Sequence, residues 1–236
     1  MLTLQGKNVL ITGGSRGLGA ALGACVLARG ARVVLVARGE AELTRTVGKL
    51  RAESPSGEVH GLAFDVAIKD DIHRITGAAA GLIGPIDVLV HNASTLGRVP
   101  LELLLDTECE DFARVLETNL LGPFRLTKSI AGAMALRGAG TIVHISSDAA
   151  IEAYPRWGAY GVSKAAFDQL ARSFAVELAP HGVRVVSIDP GEMDTQMHAD
   201  AVPDADRASL AAPPAVAARI VQLLERGVES GARVRA

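Results

Sequence analysis

Tyr160 and Lys164 stand four positions apart in Tyr160-Gly161-Val162-Ser163-Lys164, with Ser147 thirteen positions upstream of the tyrosine. Residues i and i+4 share one face of a helix, so this spacing predicts a phenol and an ammonium facing the same space. A free phenol has a pKa of about 10, and a fixed ammonium nearby favours the phenolate and lowers that value. Such a pair is a usable general acid and base. Taken alone, Tyr-x-x-x-Lys is more often an exposed helix pair, and its weight comes from its surroundings.

A glycine-rich turn, Thr12-Gly13-Gly14-Ser15-Arg16-Gly17-Leu18-Gly19, follows the β-branched run Asn8–Thr12 and leads into a helical stretch from about Gly17 to Arg29. Gly13 permits a tight turn, Gly17 lets backbone approach a pyrophosphate, and Gly19 lets helix and sheet pack closely, while the helix N-terminus faces the anion. Gly13, Ser15, Arg16, Gly17, Leu18 and Gly19 are therefore candidate contacts to a dinucleotide. The next apolar run ends Val36-Ala37-Arg38, where an NAD enzyme usually places a carboxylate for the ribose hydroxyls. Arg16 and Arg38 offer two guanidinium groups for a 2′-phosphate instead, which favours NADP(H) over NAD(H). Glu40, two residues beyond Arg38, is the carboxylate that could turn toward the ribose.

With its Gly-x3-Gly-x-Gly spacing, the chain resembles the short-chain dehydrogenase/reductase family from Lys7 to about Met197, with each principal motif in order. The resemblance implies that Asp65 and Val66 lie beside the adenine ring. Asn92 and Ala93, in His91-Asn92-Ala93-Ser94, match the family's Asn-Asn-Ala-Gly, with a serine Cβ where glycine is usual and adenosine ribose expected nearby. It also implies that Asn119, Ser147, Tyr160 and Lys164 form the catalytic set. Asn119 would distort its helix and help hold a water, and Pro190, Gly191 and Thr195 would contact the nicotinamide side. Ser147 is preferred over Ser146, which would point to the other face of an extended strand.

The implied chemistry is a hydride exchanged between a nicotinamide and a carbonyl or alcohol carbon, with Tyr160 moving the proton and Ser147 bonding the oxygen. Leu96, Tyr154, Trp157 and Met193 are candidate substrate walls for a small, fairly apolar carbonyl or alcohol. Asp194-Thr195-Gln196-Met197 and the ending Ser230-Gly231-Ala232 are weakly similar to the sepiapterin and diketone reductase branch, and the Asp-Gly-Gly ending of the family's acyl-chain reductases is missing. The family also implies a homodimer or homotetramer built on the two long helices carrying Phe112–Leu126 and Leu170–Leu178.

These residues need a scaffold that delivers them to one edge. Apolar runs at Ala31–Ala37, Val59–Phe64, Ile86–His91, Thr141–Ser146 and Arg184–Ile188 alternate with helical stretches such as Glu40–Arg51. This predicts an α/β fold: a Rossmann-type, doubly wound parallel sheet of about seven strands with helices on both faces. No linker divides the 236 residues, so one domain over 1–236 is expected, with a substrate flap at about 192–214.

The 24 basic and 26 acidic residues give a net charge of -2, and no basic block could follow a phosphate backbone, which argues against nucleic-acid binding. Cys25 and Cys109 lack metal-ligand spacing and read as free thiols, and no metal is expected. No apolar run is long enough to span a bilayer, so a cytoplasmic protein is expected. The competing function is a nucleotide-binding redox sensor or scaffold of the same fold without turnover. A sugar-nucleotide epimerase is disfavoured by length and glycine spacing.

Overall fold

Alternate residues of the apolar runs feed two separate cores. In the computed structural model, which describes residues 2–236, seven parallel strands form one sheet: β1 (Asn8–Thr12), β2 (Arg32–Ala37), β3 (Val59–Ala63), β4 (Val88–His91), β5 (Gly140–Ile145), β6 (Val183–Asp189) and β7 (Arg233–Arg235), in the order β3-β2-β1-β4-β5-β6-β7. Val9, Ile11, Val33 and Leu35 face one helical layer, α1 (Gly17–Leu27), α2 (Glu40–Glu53) and α8 (Pro213–Arg226). Leu10, Val34 and Val36 face the other, made by α3 (Lys69–Ile83), α5 (Gly122–Arg137) and α6 (Gly158–Leu178). The shorter α4 (Cys109–Leu116) precedes α5, and α7 (Gln196–Ala201) lies after β6.

The doubly wound architecture expected from the alternation is thus present. Six strands fall where the apolar runs predict them, within two residues at each end. The seventh is only three residues long, and two of them are arginines, so no hydrophobic signal marks it. Its register pairs Ser187 with Arg233 and Asp189 with Arg235.

Strand order reverses at β1, which has β2 on one side and β4 on the other. Crevices at such switch points, outside the carboxyl ends of the strands, are where open α/β sheets bind ligands. The N-terminus of α1 opens into this crevice, and its N-cap, Arg16, makes no side-chain cap. The first amides of α1 therefore have no side-chain acceptor at their N-cap and can meet an anion. Between α4 and α5 the helix widens into a single π turn, Glu117–Leu121, with Asn119 buried inside it. Among the described residues no helix is long and apolar enough to cross a membrane, and both cysteines are free.

Candidate active site

Tyr160 and Lys164 occupy the first two turns of α6, on the face turned toward the sheet, and both are buried. The ammonium of Lys164 donates to the Ile145 carbonyl at the end of β5, 2.7 Å away, and lies 5.5 Å from the centre of the Tyr160 ring. That placement overturns the expectation of an acidified phenol. Burial pushes Tyr160 up to about 12; the hydroxyls of Ser147 and Ser94 pull it down less, and Asp148 and Asp189 add to the rise. Lys164 is lowered to about 8 by burial, which Asp168 partly offsets. Loss of solvent is the largest of these causes and outweighs the two hydroxyls.

Ser147 follows β5 and caps a short turn, Asp148–Ala150: its hydroxyl accepts from the Ala149 amide at 3.2 Å and donates to Asp148 Oδ1 at 2.9 Å. Tyr154 also donates to Asp148, at 3.1 Å. Ser146 points away and donates to buried Asp168 at 2.7 Å, as strand alternation requires. Asn119 is fully committed. Its Oδ1 accepts from the Thr95 amide at 2.8 Å and from Ser94 at 3.3 Å, while Nδ2 donates to the Thr95 carbonyl at 2.9 Å and to Ser163 at 3.0 Å. It therefore staples the segment after β4 to the helix carrying Tyr160.

One cleft of about 1350 Å³ joins the glycine turn to this cluster. Gly13, Ser15, Arg16, Gly17, Leu18, Asn92, Pro190, Gly191 and Thr195 line it together with Ser147, Tyr160 and Lys164. So do all four expected wall residues, Leu96, Tyr154, Trp157 and Met193. The turn is built for backbone exposure: Gly13 and Gly17 have φ of +68° and +53°, and Asn92 Nδ2 braces it from the carbonyls of Thr12 and Gly13 at 3.0 Å each.

Gly19, Arg38, Asp65, Val66, Ala93 and Asn119 do not line the cleft. Ala93 lies directly behind Gly13, and Val66 is buried. Asp65 accepts from the Ala67 amide at 2.9 Å, and Arg38 approaches its carboxylate at 3.9 Å while remaining largely exposed. The carboxylate that reaches the turn is Glu42, which accepts from Ser15 Oγ at 2.9 Å. Ser94, expected near the adenosine ribose, lines the cleft and turns its hydroxyl to Asn119 and Tyr160.

Residues 7–206 match the short chain dehydrogenase family. The chain belongs to that family. It is accordingly an oxidoreductase of the hydride-transferring dehydrogenase/reductase type, acting between CH–OH and C=O. Among its relatives is an uncharacterised oxidoreductase of Thermotoga maritima, 36% identical over 83% of this chain and 75% of that one. A 2-(R)-hydroxypropyl-CoM dehydrogenase of Xanthobacter autotrophicus is 35% identical over 81% of this chain and 76% of its own. A solved structure from Pseudomonas syringae, described as a short chain dehydrogenase, superposes with a TM-score of 0.90 at 30% identity, covering 99% of this chain and 95% of that one.

Two charged neighbours of the cluster escaped sequence reasoning. Asp168 lies one turn beyond Lys164 on the same helix face, and its spacing from Tyr160 and Lys164 was legible. Arg233 lies in the three-residue last strand and gave no signal, because its partners are 44 to 86 residues away in sequence.

Proposed function

We propose that this dehydrogenase is an NADP(H)-preferring carbonyl reductase for a small, fairly apolar substrate, working as an alcohol dehydrogenase in reverse. The observation that carries this reading is the single cleft holding Tyr160, Lys164 and Ser147 at one end and the glycine turn at the other. The residues present fit a dinucleotide: uncapped amides at α1, glycines with positive φ, and Arg16, which makes no ion pair among the described residues. When bound, the nicotinamide supplies or accepts the hydride.

Tyr160, protonated at neutral pH, gives its proton to the carbonyl oxygen. Ser147 turns its hydroxyl from Asp148, which it bonds at 2.9 Å, to that same oxygen and donates to the charge developing there. Lys164 uses one N–H on Ile145 and keeps the others for the nicotinamide ribose. Asn119 holds the wall of the pocket by bonding Thr95 and Ser163. Met193 and Met197 supply an adaptable apolar surface within a flap, residues 192–214, whose two ends are tied to each other by Arg207 and Asp194 at 2.6 and 2.8 Å. The same domain works as a homodimer or homotetramer in the cytoplasm, and Val162 and Val176 of α6 present exposed apolar surface to a second copy.

Arg16 and Arg38 take the 2′-phosphate, with Arg38 turning to it from Asp65, which it approaches at 3.9 Å, and Glu42 the carboxylate that touches the turn. Exchanging Arg38→Asp removes a charge-assisted bond, a contribution of roughly 1.5–3 kcal/mol. The ratio of kcat/KM for NADPH to that for NADH should fall at least about tenfold, as read by parallel initial rates. An unchanged ratio refutes the NADP assignment.

The pH dependence has a fixed sign. Lys164 is charged below about 8 and neutral above it, and the proposed ribose contact uses the charged form. The kcat/KM for NADPH, which reports the free enzyme, should be level at lower pH and decline as pH rises through about 8. A profile that rises there contradicts the role. The broad test is a panel of ketones, diketones, pterins and acyl thioesters followed by loss of NADPH absorbance; tight nucleotide binding with no turnover on any of them would favour the sensor.

A further inference from the structure

We infer that Arg233, in the last strand, is a positioning residue that fixes the catalytic serine and the nicotinamide-side loop relative to the catalytic helix. This rests on the catalytic reading given above. The guanidinium of Arg233 reaches three separate segments at once. Its Nε donates to Asp168 Oδ2 on α6 at 3.0 Å, and its Nη2 donates to the Ser147 carbonyl at 2.7 Å and to Asp189 Oδ2 at the end of β6 at 3.1 Å.

Each contact leads on to the site. Asp168 follows Lys164 by one helical turn and also accepts from Ser146 Oγ, at 2.7 Å. Asp189 uses its other oxygen to accept from the Gly191 amide at 3.0 Å, which shapes the Pro190-Gly191 turn lining the cleft. The Ser147 carbonyl belongs to the residue whose hydroxyl is proposed to meet the substrate oxygen. A shift of Arg233 therefore moves Ser147, Gly191 and the α6 carboxylate together.

An ordinary surface ion pair would not do this. The carboxylates of Asp168 and Asp189 are only 5% and 6% exposed, against 20% for Arg233. The other charged group here is Lys164, whose ammonium bonds Ile145 rather than a carboxylate. His144 faces Asp168 at 3.7 Å, but burial and the neighbouring Lys164, His91 and Arg233 hold it well below the usual imidazole range, so it is neutral and forms no ion pair. Two cations thus balance two carboxylates, and only Arg233 touches both carboxylates. Its planar fork donates in several directions at fixed angles, which a lysine ammonium does not reproduce.

The test compares the parent enzyme with Arg233→Lys, which keeps the buried charges balanced and so keeps the fold, and with Arg233→Ala supplemented with guanidinium ion. Displacing a catalytic group by about 1 Å costs on the order of 10²-fold. Arg233→Lys should therefore lower kcat by about 10- to 100-fold with a smaller loss of NADPH affinity, since the nicotinamide-side turn shifts while Arg16 and the glycine turn are untouched. Hydrogen exchange at the amides of Asp148 to Glu152 should quicken in the same variant, and guanidinium should restore kcat to Arg233→Ala. If Arg233→Ala does not fold, Arg233→Lys decides.

Unchanged kcat and unchanged exchange in Arg233→Lys overturn the proposal, as does a loss of melting temperature without a change in either. If the parent turns over nothing on the panel, the catalytic reading fails instead, and the exchange measurement alone still tests whether Arg233 holds the Ser147 turn.

Discussion

Tyr160→Phe is expected to lower kcat for carbonyl reduction by about 10²- to 10⁴-fold, the span that a positioned general acid supplies, with NADPH affinity nearly unchanged. The substitution removes one oxygen and keeps the ring. That ring packs edge-on against Trp157, with centroids 5.7 Å apart, in a small cluster with Leu96 and Ala149. Phenylalanine fills the same space, so the fold and the substrate wall stay in place. Because burial holds the phenol at about 12, the group deleted is a neutral proton donor, and no buried charge loses its partner. Steady-state rates with the best substrate of the panel, beside an NADPH fluorescence titration, separate the two quantities. Turnover retained in Tyr160→Phe would remove Tyr160 from the chemistry.

The raised phenol also shows what spacing can and cannot convey. That Tyr160 and Lys164 share a helix face follows from a period of 3.6 residues, and the structure places them so. Whether the phenol is acidic depends on burial, which pushes it up more than the hydroxyls of Ser147 and Ser94 pull it down, and burial is set by segments that only the fold brings around the tyrosine. The glycine turn and the six longer strands were legible because each is a local pattern with a single physical reason. Glu42 gave no signal because the angle of α2 against the glycine turn, rather than distance along the chain, decides which carboxylate meets Ser15. Arg233 was missed because a three-residue strand with two arginines carries no hydrophobic period, and its place is set by pairing with β6.

Gly19→Ala should be the most damaging change in the nucleotide end of the cleft. A Cβ on Gly19 would lie 2.8 Å from the carbonyl carbon of Gly13 and closer still to its oxygen, and 2.5 Å from Asn92 Nδ2. Both neighbours are fixed: the first is backbone of the turn, and the second is the amide that braces it. Neither can retreat without moving α1 away from β1 or displacing the turn into the cleft. Overpacking of this kind costs about 1–3 kcal/mol, which for a chain of this length is a fall in Tm of roughly 2–12 °C. Displacing the turn by about 1 Å should lower kcat/KM for NADPH by on the order of 10²-fold.

Gly48, exposed in α2 with nothing within 4 Å of its absent Cβ, is the matched control. There alanine removes backbone freedom from the unfolded chain and should stabilise by about 0.5–1 kcal/mol with rates unchanged. Thermal melts and NADPH titrations of the two variants side by side test whether close approach at the turn, rather than glycine content, makes Gly19 indispensable. Equal behaviour of the two would refute it.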